Sequence, residues 1–428
     1  MTFVAPAVSL RGALGVPGDK SITHRALLIG AISDGEVAIT GLGRSADTDS
    51  TIAALRTLGV ELEDAGADLV RVRGAGLRGL RAPGAPINCG NAGTLVRLLA
   101  GILAGQQGQG FELTGDESLR ARPMDRIADP LGQLGAAVET NDGGLPMRIA
   151  GRPLRGITYT LPVASAQVKS CVLLAGLYAE GRTTVVEPVA TRDHTERMLR
   201  AAGARLRRAG ERTSVWPAER LELEWVEVPG DFSAAAPFIV AATLLSGSEL
   251  IVSRVGINPA RIGFLYVLER MGARVSVFNR RMVGGEPVAD LSVAHAELVA
   301  TEVMPAEVPS LVDELPLFAL AAAMARGESR VRGAQELREK ETDRIESVTN
   351  SLRPLGVRIV DTYDGFRVRG VPSRPRGGGM DSGGDHRIAM LGALAGLVSR
   401  EGVTIEGAEA VAVSFPGFFE LLDSVAQR

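Results

Sequence analysis

Leu55-Arg56-Thr57-Leu58-Gly59-Val60 is a stretch that predicts the end of a helix, a turn at glycine and the start of a strand. A glycine just after a helix supplies the left-handed residue at which helices commonly stop, and the alternating apolar residues beyond it predict a strand. Four more stretches of this kind contain Gly135, Gly203, Gly272 and Gly356. A sixth helix, without its strand, is expected at residues 414–422. Dividing 428 residues by six gives a unit of about 71 residues, which indicates a repeat architecture.

Polar clusters at six places open helices of small apolar residues. The clusters occupy residues 20–21, 91–94, 165–167, 231–233, 313–314 and 385–387. Segments 312–325 and 388–398 are almost wholly apolar, so their helices should be buried on all sides. If three such helices pack side by side in each half, their N-terminal N–H groups and partial positive charges converge into an anion-binding site. Two halves facing each other would form a cleft for a multiply anionic ligand. The alternative is that the clusters are N-caps on the outer surface.

Two proline- and glycine-containing stretches, before Lys20 and at residues 228–231, predict where the chain crosses between its halves. The expected domains are therefore residues 16–229 and, for the second domain, residues 1–15 with 230–428. An N-terminal strand at about residues 3–11 and the last helix should together close the second domain.

Composition describes an ordinary globular protein, with 45% apolar and 23% charged residues. A net charge of −3 argues against binding to nucleic acid or to a membrane surface. Two cysteines give no disulfide framework. The first residues lack signal-peptide features and no apolar run reaches membrane-spanning length, so a cytoplasmic location is expected.

Lysine is rare in this chain, which has three lysines among 47 lysine and arginine residues. Lys20, Lys169 and Lys340 each lie in a polar cluster. An ammonium is compact and its pKa can shift, whereas a guanidinium is a planar fork that stays charged. The lysines are therefore candidates for places where only an ammonium works. The alternative is chance survival under a codon bias, which is the preferred interpretation for Lys169.

The stretch Pro17-Gly18-Asp19-Lys20-Ser21 nearly matches a phosphate-binding loop, but Asp19 interrupts the required Gly-Lys-Ser. A carboxylate there would face phosphate oxygens, which argues against a nucleotide cradle.

Gly93 would allow a ligand close to the backbone, or it is a simple turn glycine. Arg122 precedes a proline just before a helix, although loop arginines are usually solvated.

The run Lys340-Glu341-Thr342-Asp343-Arg344 is expected to begin a helix, with residues 340, 343 and 344 on one face. A self-neutralised surface is the alternative. Asp313-Glu314 and Asp385-His386-Arg387 each precede or open an apolar helix, where acidic residues are also favourable N-terminal charges.

Taken in order from about Pro17 to Phe419, seven motifs resemble those of the enolpyruvyl transferases, and among them the branch that acts on shikimate 3-phosphate. They are residues 17–25 (Pro-Gly-Asp-Lys-Ser-Ile-Thr-His-Arg), 91–94 (Asn-Ala-Gly-Thr), 113–123 (Leu-Thr-Gly-Asp-Glu-Ser-Leu-Arg-Ala-Arg-Pro), 165–170 (Ser-Ala-Gln-Val-Lys-Ser), 191–196 (Thr-Arg-Asp-His-Thr-Glu), 340–344 (Lys-Glu-Thr-Asp-Arg) and 385–390 (Asp-His-Arg-Ile-Ala-Met). The resemblance implies two inside-out α/β domains, each of three repeats, with buried parallel helices surrounded by β-sheets and the active site between the domains. It implies transfer of the enolpyruvyl group of phosphoenolpyruvate to the 5-hydroxyl of shikimate 3-phosphate, with no metal or organic cofactor. A monomer is expected.

The same resemblance assigns roles to residues. Those implied around phosphoenolpyruvate are Lys20, Gly93, Arg122, Gln167, Arg344, His386 and Arg387. Those implied around shikimate 3-phosphate are Lys20, Ser21, Arg25, Ser165, Ala166, Gln167, Arg192, Asp313 and Lys340. Asp313 would take the hydroxyl proton and Glu341 would protonate the methylene carbon, while Lys20 and Lys340 complete the catalytic set. Both substrates are phosphate- and carboxylate-bearing anions, which suits arginine forks and lysine point charges.

Some positions depart from the family pattern. Val413 stands where many members have a lysine, Glu336 where asparagine is common, and Ala166 where many have a serine hydroxyl, for which Arg192 would compensate. Gly93 suggests a roomy phosphoenolpyruvate pocket, so inhibition by glyphosate is expected.

Three alternatives stay open. One is the sister enzyme acting on UDP-N-acetylglucosamine, although residues 105–122 lack the cysteine that this enzyme commonly carries. Another is a non-catalytic anion-binding protein, against which the acidic Asp313 and Glu341 argue. The third is a small-molecule kinase.

Overall fold

The computed structural model describes residues 1–66 and 68–428, and the chain divides into two compact units. The terminal unit comprises Met1–Asp19, Pro229–Met282 and Pro287–Arg428. The central unit comprises Lys20–Val228 and Val283–Glu286. Each unit has its own apolar core. Among the described residues, no helix combines the length and apolar character needed to cross a membrane.

Helices and short strands alternate along the whole chain. The helices are α1 Lys20–Ala31, α2 Ala46–Thr57, α3 Gly93–Ala104, α4 Glu117–Arg120, α5 Asp125–Leu134, α6 Ala166–Gly176, α7 His194–Ala201, α8 Phe232–Leu244, α9 Gly263–Arg270, α10 Leu315–Met324, α11 Arg344–Leu352, α12 His386–Val398 and α13 Phe418–Val425. The strands are β1 Thr2–Val4, β2 Ser9–Gly15, β3 Glu36–Thr40, β4 Glu61–Asp64, β5 Leu69–Arg73, β6 Ile87–Asn88, β7 Gly110–Thr114, β8 Ala137–Asn141, β9 Gly144–Ala150, β10 Leu154–Arg155, β11 Thr158–Thr160, β12 Ala179–Glu180, β13 Thr183–Val186, β14 Leu206–Ala209, β15 Arg212–Val215, β16 Trp225–Glu227, β17 Glu249–Gly256, β18 Arg274–Val283, β19 Glu286–Ala294, β20 Glu302–Val303, β21 Gly327–Val331, β22 Arg358–Thr362, β23 Gly365–Gly370, β24 Gly378–Asp381, β25 Val403–Glu406 and β26 Ala426–Gln427.

The five predicted helix ends are confirmed. Helices α2, α5, α7, α9 and α11 each stop one to four residues before a glycine in the left-handed region, and a strand follows. The φ angles are 85° at Gly59, 106° at Gly135, 84° at Gly203, 98° at Gly272 and 88° at Gly356. A side chain at these positions would be strained, because left-handed backbone is disfavoured for residues with a Cβ.

The central unit repeats one sheet three times. Its four-stranded sheets have the orders β16-β3-β5-β4, β6-β7-β9-β8 and β11-β13-β15-β14. In each sheet the first pair is parallel and the next two pairs are antiparallel. The buried helices α1, α3 and α6 lie inside, with α3 packed against both others. This arrangement confirms the predicted buried helices surrounded by sheets.

The terminal unit uses the same plan. Its sheets have the orders β18-β19-β17-β2-β26, β20-β21-β23-β22 and β1-β25-β24. Each contains a parallel pair, namely β2 with β17, β20 with β21 and β24 with β25. Helices α8, α10 and α12 pack against one another. Every residue of α8 is buried, as is every residue of α12 except Arg387.

Two predictions about the chain ends were wrong. The single strand expected at residues 3–11 is two strands, β1 and β2, in different sheets. Pro6 lies between them and has no N–H to offer a ladder, which favours a break there. The last helix begins at Phe418, because Gly417 before it has a φ of 78° and therefore cannot continue a right-handed helix. That helix is followed by β26, which pairs with β2.

The two stretches that lead into and out of the central unit are joined to each other in the terminal unit. Gly18 and Gly230 form an antiparallel bridge. The amide of Asp19 donates to the carbonyl of Pro229, and the amide of Asp231 donates to the carbonyl of Pro17, each at 2.8 Å. The chain leaves the terminal unit after Asp19 and returns to it at Pro229.

Candidate active site

The six polar clusters lie at the N-termini of the six buried helices. In the central unit, Ser165 caps α6 through a hydrogen bond to the amide of Val168 at 3.4 Å, while α3 has no side-chain cap. Ala166 and Gln167 form the first turn of α6 and are half-buried. Uncapped N–H groups at a helix start are available to an anion.

Helices α3 and α6 are linked by side chains at these ends. Arg97 Nη1 donates to Gln167 Oε1 at 2.7 Å, and Gln167 Nε2 donates to Thr94 Oγ1 at 3.0 Å. A Cβ atom at Gly93 would lie 3.0 Å from Arg97 Nη1 and 3.2 Å from Arg122 Nη1. Gly93, Arg122 and Gln167 are therefore brought together, although Gln167 is more than 70 residues from Gly93 along the chain.

Arg97 is not among the predicted site residues. The signal that could have found it is its position one turn after Gly93 on the same helix, since residues four apart share a helix face. Arg122 is held by Asn91, whose Oδ1 accepts from Arg122 Nη2 at 2.6 Å.

Helix α1 contributes two more of the predicted site cations, Lys20 and Arg25. Lys20 begins the helix, and its Nζ lies 2.8 Å from Asp47 Oδ2. The buried Arg25 donates to Thr195 Oγ1 at 2.7 Å, to Ser170 Oγ at 3.0 Å and to the carbonyl of Ser21 at 2.8 Å. These bonds fix the Arg25 guanidinium.

Arg192 is half-buried in the loop before α7. It follows Thr191 directly in the chain, and Thr195, which accepts from Arg25, lies in the first turn of α7. Arg25 is thus hydrogen-bonded to the segment 191–195 of the central unit, and Arg192 is part of that segment.

In the terminal unit, Arg344 gathers three carboxylates. Its Nε lies 2.7 Å from Asp385 Oδ2, its Nη2 lies 2.5 Å from Glu341 Oε2, and its Nη1 lies 3.8 Å from Asp313 Oδ1. Burial alone would lower the pKa of the guanidinium, but the carboxylates outweigh burial and raise it. Burial would likewise raise the pKa of Asp385, but Arg344 outweighs it and the pKa lies below its usual value. Asp313, Glu341 and Arg344 therefore form one charged cluster.

A second cluster joins the starts of α8, α10 and α12. Arg387 Nη1 donates to Ser233 Oγ, and that hydroxyl donates to Glu314 Oε1. The same carboxylate receives two bonds from the buried Arg261, at 2.9 and 3.1 Å. Ser233 and Glu314 were considered only as helix openings and Arg261 was missed, since nothing in its local sequence marks it.

The expected helix start at Lys340 was wrong. A 3-10 turn, Gln335–Glu339, ends just before Lys340, and α11 begins at Arg344. Asp343 is the N-cap, accepting from the amides of Ile345 and Glu346 at 3.1 Å, which is a favoured way to satisfy the first orphan N–H groups. Lys340 is extended, and its Nζ lies 3.3 Å from Glu336 Oε1. Residues 340, 343 and 344 therefore do not share a helix face.

The histidines and cysteines at these helices are buried. His386 is the first residue of α12, with its Nδ1 3.9 Å from Asp385 Oδ1. Burial lowers the pKa of His24 to about 3, so this imidazole is neutral at ordinary pH. Burial raises the pKa of Cys89 to about 12 and that of Cys171 above its usual value, which disfavours a thiolate nucleophile. Within residues 1–66 and 68–428, no group of three or more His, Cys, Asp or Glu side chains is placed to hold a metal ion.

The two units thus define an α/β protein built from repeats. Polar side chains gather at the starts of its buried helices, and in the terminal unit they include three carboxylates around Arg344. Residues 4–422 match the family model described as EPSP synthase (3-phosphoshikimate 1-carboxyvinyltransferase). A relative from Acidithiobacillus ferrooxidans with that enzyme name is 49% identical over 97% of this chain and 95% of its own length. One from Synechococcus sp. strain WH7803, with the same name, is 50% identical over 96% of this chain and 95% of its own.

Solved structures agree with these sequence matches. EPSP synthase from Acinetobacter baumannii has a TM-score of 0.88 and 42% identity, over 99% of this chain and 97% of the other. The enolpyruvyl transferase NikO from Streptomyces tendae has a TM-score of 0.80 at 22% identity, over 99% of this chain and 96% of the other, which shows the fold alone. The chain belongs to the EPSP synthase family, and the predictions of fold class, of an enzyme and of a transferase are confirmed.

Proposed function

We propose that the protein transfers the enolpyruvyl group of phosphoenolpyruvate to the 5-hydroxyl of shikimate 3-phosphate, and that residues of both units act on this one pair of substrates. The observation that carries the proposal is the cluster of Asp313 and Glu341 around Arg344. An anion-binding protein has no use for carboxylates beside its key arginine, since they oppose the binding of anions. An addition–elimination reaction needs both a base and an acid.

The chemistry divides between these carboxylates. Asp313 accepts the proton of the 5-hydroxyl while the hydroxyl oxygen forms a bond to C2 of phosphoenolpyruvate. Glu341 gives a proton to the methylene carbon C3. The resulting tetrahedral intermediate then returns a proton from C3 to Glu341 as the C2–O bond to phosphate breaks, and the proton held by Asp313 leaves with the phosphate. Lys340 steadies the attacking oxygen and the leaving phosphate with its charge. The net reaction releases one phosphate and needs no redox partner.

The cations hold the two anionic substrates. The carboxylate and phosphate of phosphoenolpyruvate are bound by four cations, namely Lys20, Arg122, Arg344 and Arg387. His386, Gln167 and the backbone of Gly93 lie beside the same substrate. Ser21, Arg25, Ser165, Ala166, Gln167 and Arg192 hold shikimate 3-phosphate, Ala166 by its backbone. Bidentate arginine pairs with carboxylate and phosphate are among the stronger hydrogen-bonded ion pairs in proteins.

The testing experiment is phosphate release from phosphoenolpyruvate with shikimate 3-phosphate, compared with release in the presence of UDP-N-acetylglucosamine. We expect release only with shikimate 3-phosphate, with no requirement for ATP and with inhibition by glyphosate. Release with the UDP-sugar instead would establish the sister activity. Binding of both anions without any release would identify a non-catalytic binding protein, and strict ATP dependence would identify a kinase.

Three further properties belong to this proposal. We propose that the enzyme works in the cytoplasm, as a monomer and without metal or organic cofactor. Activity retained after dialysis against a chelator, and a mass of one chain by light scattering, would be the expected results.

A further inference from the structure

The least expected side chain of the central unit is Lys169, the lysine for which the sequence favoured chance. Its side chain has no exposed surface, and its Nζ lies 2.7 Å from Glu196 Oε1 and 3.0 Å from Glu187 Oε1. The carbonyl of Thr191 also accepts a hydrogen bond from Nζ at 3.4 Å. The ammonium of lysine is a compact point charge with three N–H donors on one nitrogen, so it fits where acceptors crowd around a single point, whereas a guanidinium is larger and planar. This fully buried setting accounts for a lysine here in a chain with three lysines among 47 lysine and arginine residues.

The partners of Lys169 all lie in or next to one segment, the 187–193 loop between β13 and α7. Glu187 stands at its start and also accepts from the amide and hydroxyl of Thr191, at 3.1 and 2.6 Å. Glu196 lies just beyond its end, in the first turn of α7. Lys169 therefore connects the start of this loop, its middle and the helix that follows it to the buried helix α6.

The neighbouring residues extend the same connection to helix α1. Ser170, next to Lys169 on α6, lies 2.7 Å from Thr195 Oγ1, and Thr195 is next to Glu196 on α7. Both hydroxyls accept from Arg25 of α1. Two adjacent residues of α6 thus bind two adjacent residues of α7, one pair through charge and one through hydroxyls.

We propose that Lys169 is a positioning residue that fixes Arg192, through the 187–193 loop, for the phosphate of the acceptor substrate. Thr191, whose carbonyl binds Lys169, is joined directly to Arg192. A guanidinium can grip a phosphate bidentately only if its backbone is held in place, because small displacements of a binding group weaken it strongly. The inference rests on the proposed function and adds to it the group that orients the phosphate clamp.

The test compares Lys169→Arg with wild type in steady-state kinetics. Lys169→Arg keeps the charge that the two glutamates require but puts a larger, planar group in the buried place of the compact ammonium. We expect the KM for shikimate 3-phosphate to rise about 10- to 100-fold, while the KM for phosphoenolpyruvate changes by less than about threefold. Val72→Ala, a core truncation in β5 of the same unit, is the control for lower stability and should leave both KM values near wild type.

A purely structural role is separated from positioning by combining Lys169→Arg with Arg192→Ala. If Lys169 acts through Arg192, the lysine substitution should add less than about a threefold effect once Arg192 is gone, because effects that share one route are not additive. A full additional effect in that background overturns the proposal, as does an unchanged KM for shikimate 3-phosphate in the single variant.

Glu196→Gln replaces Lys169→Arg in the same scheme if the latter does not fold, since it keeps the shape and a hydrogen-bonding oxygen. A wild-type protein that neither binds shikimate 3-phosphate nor releases phosphate overturns the proposed function together with this one. A wild type that turns over normally, beside a variant with unchanged KM, overturns the positioning role alone.

Discussion

Each unit has three buried helices, α1, α3 and α6 in the central unit and α8, α10 and α12 in the terminal unit. The N-terminal ends of the two sets are built alike, but their arginines have different kinds of partner. In the central unit, Arg97 bonds to the amide of Gln167, and Arg25 bonds to hydroxyls and a carbonyl. In the terminal unit, Arg344 lies among three carboxylates and Arg387 lies 3.5 Å from Glu314. The partners named for these arginines are therefore neutral in one unit and carboxylates in the other.

This difference suggests a division of labour on a repeated scaffold. The bonds given for Arg25 and Arg97 go to neutral groups, which do not offset the charge that an incoming anion meets, so the central unit is suited to holding substrates. Arginines beside carboxylates offer an anion less net charge, but they also hold those carboxylates in fixed positions within a low-dielectric region. The terminal unit is therefore suited to moving protons.

The largest effect is expected where the terminal unit loses a proton-transfer group. Asp313→Asn and Glu341→Gln keep the size of each side chain and remove its carboxylate, so kcat should fall about 10²- to 10⁴-fold in each variant. KM values should change far less, because neither group contributes attraction for anions. Initial-rate measurements of phosphate release provide the check.

Glu307→Gln is the matched control for charge removal in the terminal unit, since Glu307 pairs with Arg270 away from the helix starts. Its kcat should equal that of wild type. If either Asp313→Asn or Glu341→Gln raised KM while leaving kcat intact, that residue would be a substrate-holding group and the division of labour would fail.

A smaller effect is expected when the central unit is given the chemistry of the terminal unit. Gln167→Glu places a carboxylate 2.7 Å from Arg97 at nearly unchanged shape. The new ion pair neutralises Arg97 and repels anions, so the KM for phosphoenolpyruvate should rise about 10- to 100-fold, or about 1.4–2.8 kcal/mol. Gln107→Glu makes the same charge change at an exposed site of the same unit and should be silent. Equal KM values for wild type and Gln167→Glu would show that this helix end does not bind the anion.

Local patterns were sufficient for much of the fold. Each of the five helix-ending glycines lies within a few residues of the helix and strand that it separates, so the signal is contained in a short window. The wrong predictions also came from short windows. Spacing alone placed Lys340 on a helix, but the N-cap bonds of Asp343 start that helix at Arg344. Spacing likewise merged β1 and β2 across Pro6.

The candidate site depends on contacts between residues far apart in the chain, which no short stretch of sequence contains. Arg97 and Gln167 are 70 residues apart, and Arg261 and Glu314 are 53 apart. The sequence marks the individual helix openings, but not which side chain of one repeat bonds to which side chain of the next. The roles of single residues follow from the family resemblance, whereas the contacts of Lys169 with Glu187, Thr191 and Glu196 form only in the folded chain.

The smallest expected effect concerns acid stability, where the two units again differ. His24 of the central unit has a pKa lowered by burial from 6.5 to about 3, so the unfolded chain binds a proton that the folded unit does not. The stability contributed by the neutral imidazole is present above pH 6.5 and declines as the pH falls below it, by about 2 kcal/mol at pH 5. The pKa of Asp385 in the terminal unit is also lowered, below its usual value near 3.8, so its contribution declines only under more acidic conditions.

Both tryptophans, Trp216 and Trp225, lie in the central unit, so urea unfolding followed by tryptophan fluorescence reports on that unit. We expect the wild-type unfolding free energy to fall by about 2 kcal/mol between pH 7.5 and pH 5, and His24→Asn, which can keep a hydrogen bond to Thr51, to remove most of that slope. The same slope in both proteins would mean that another group of the central unit controls its acid stability.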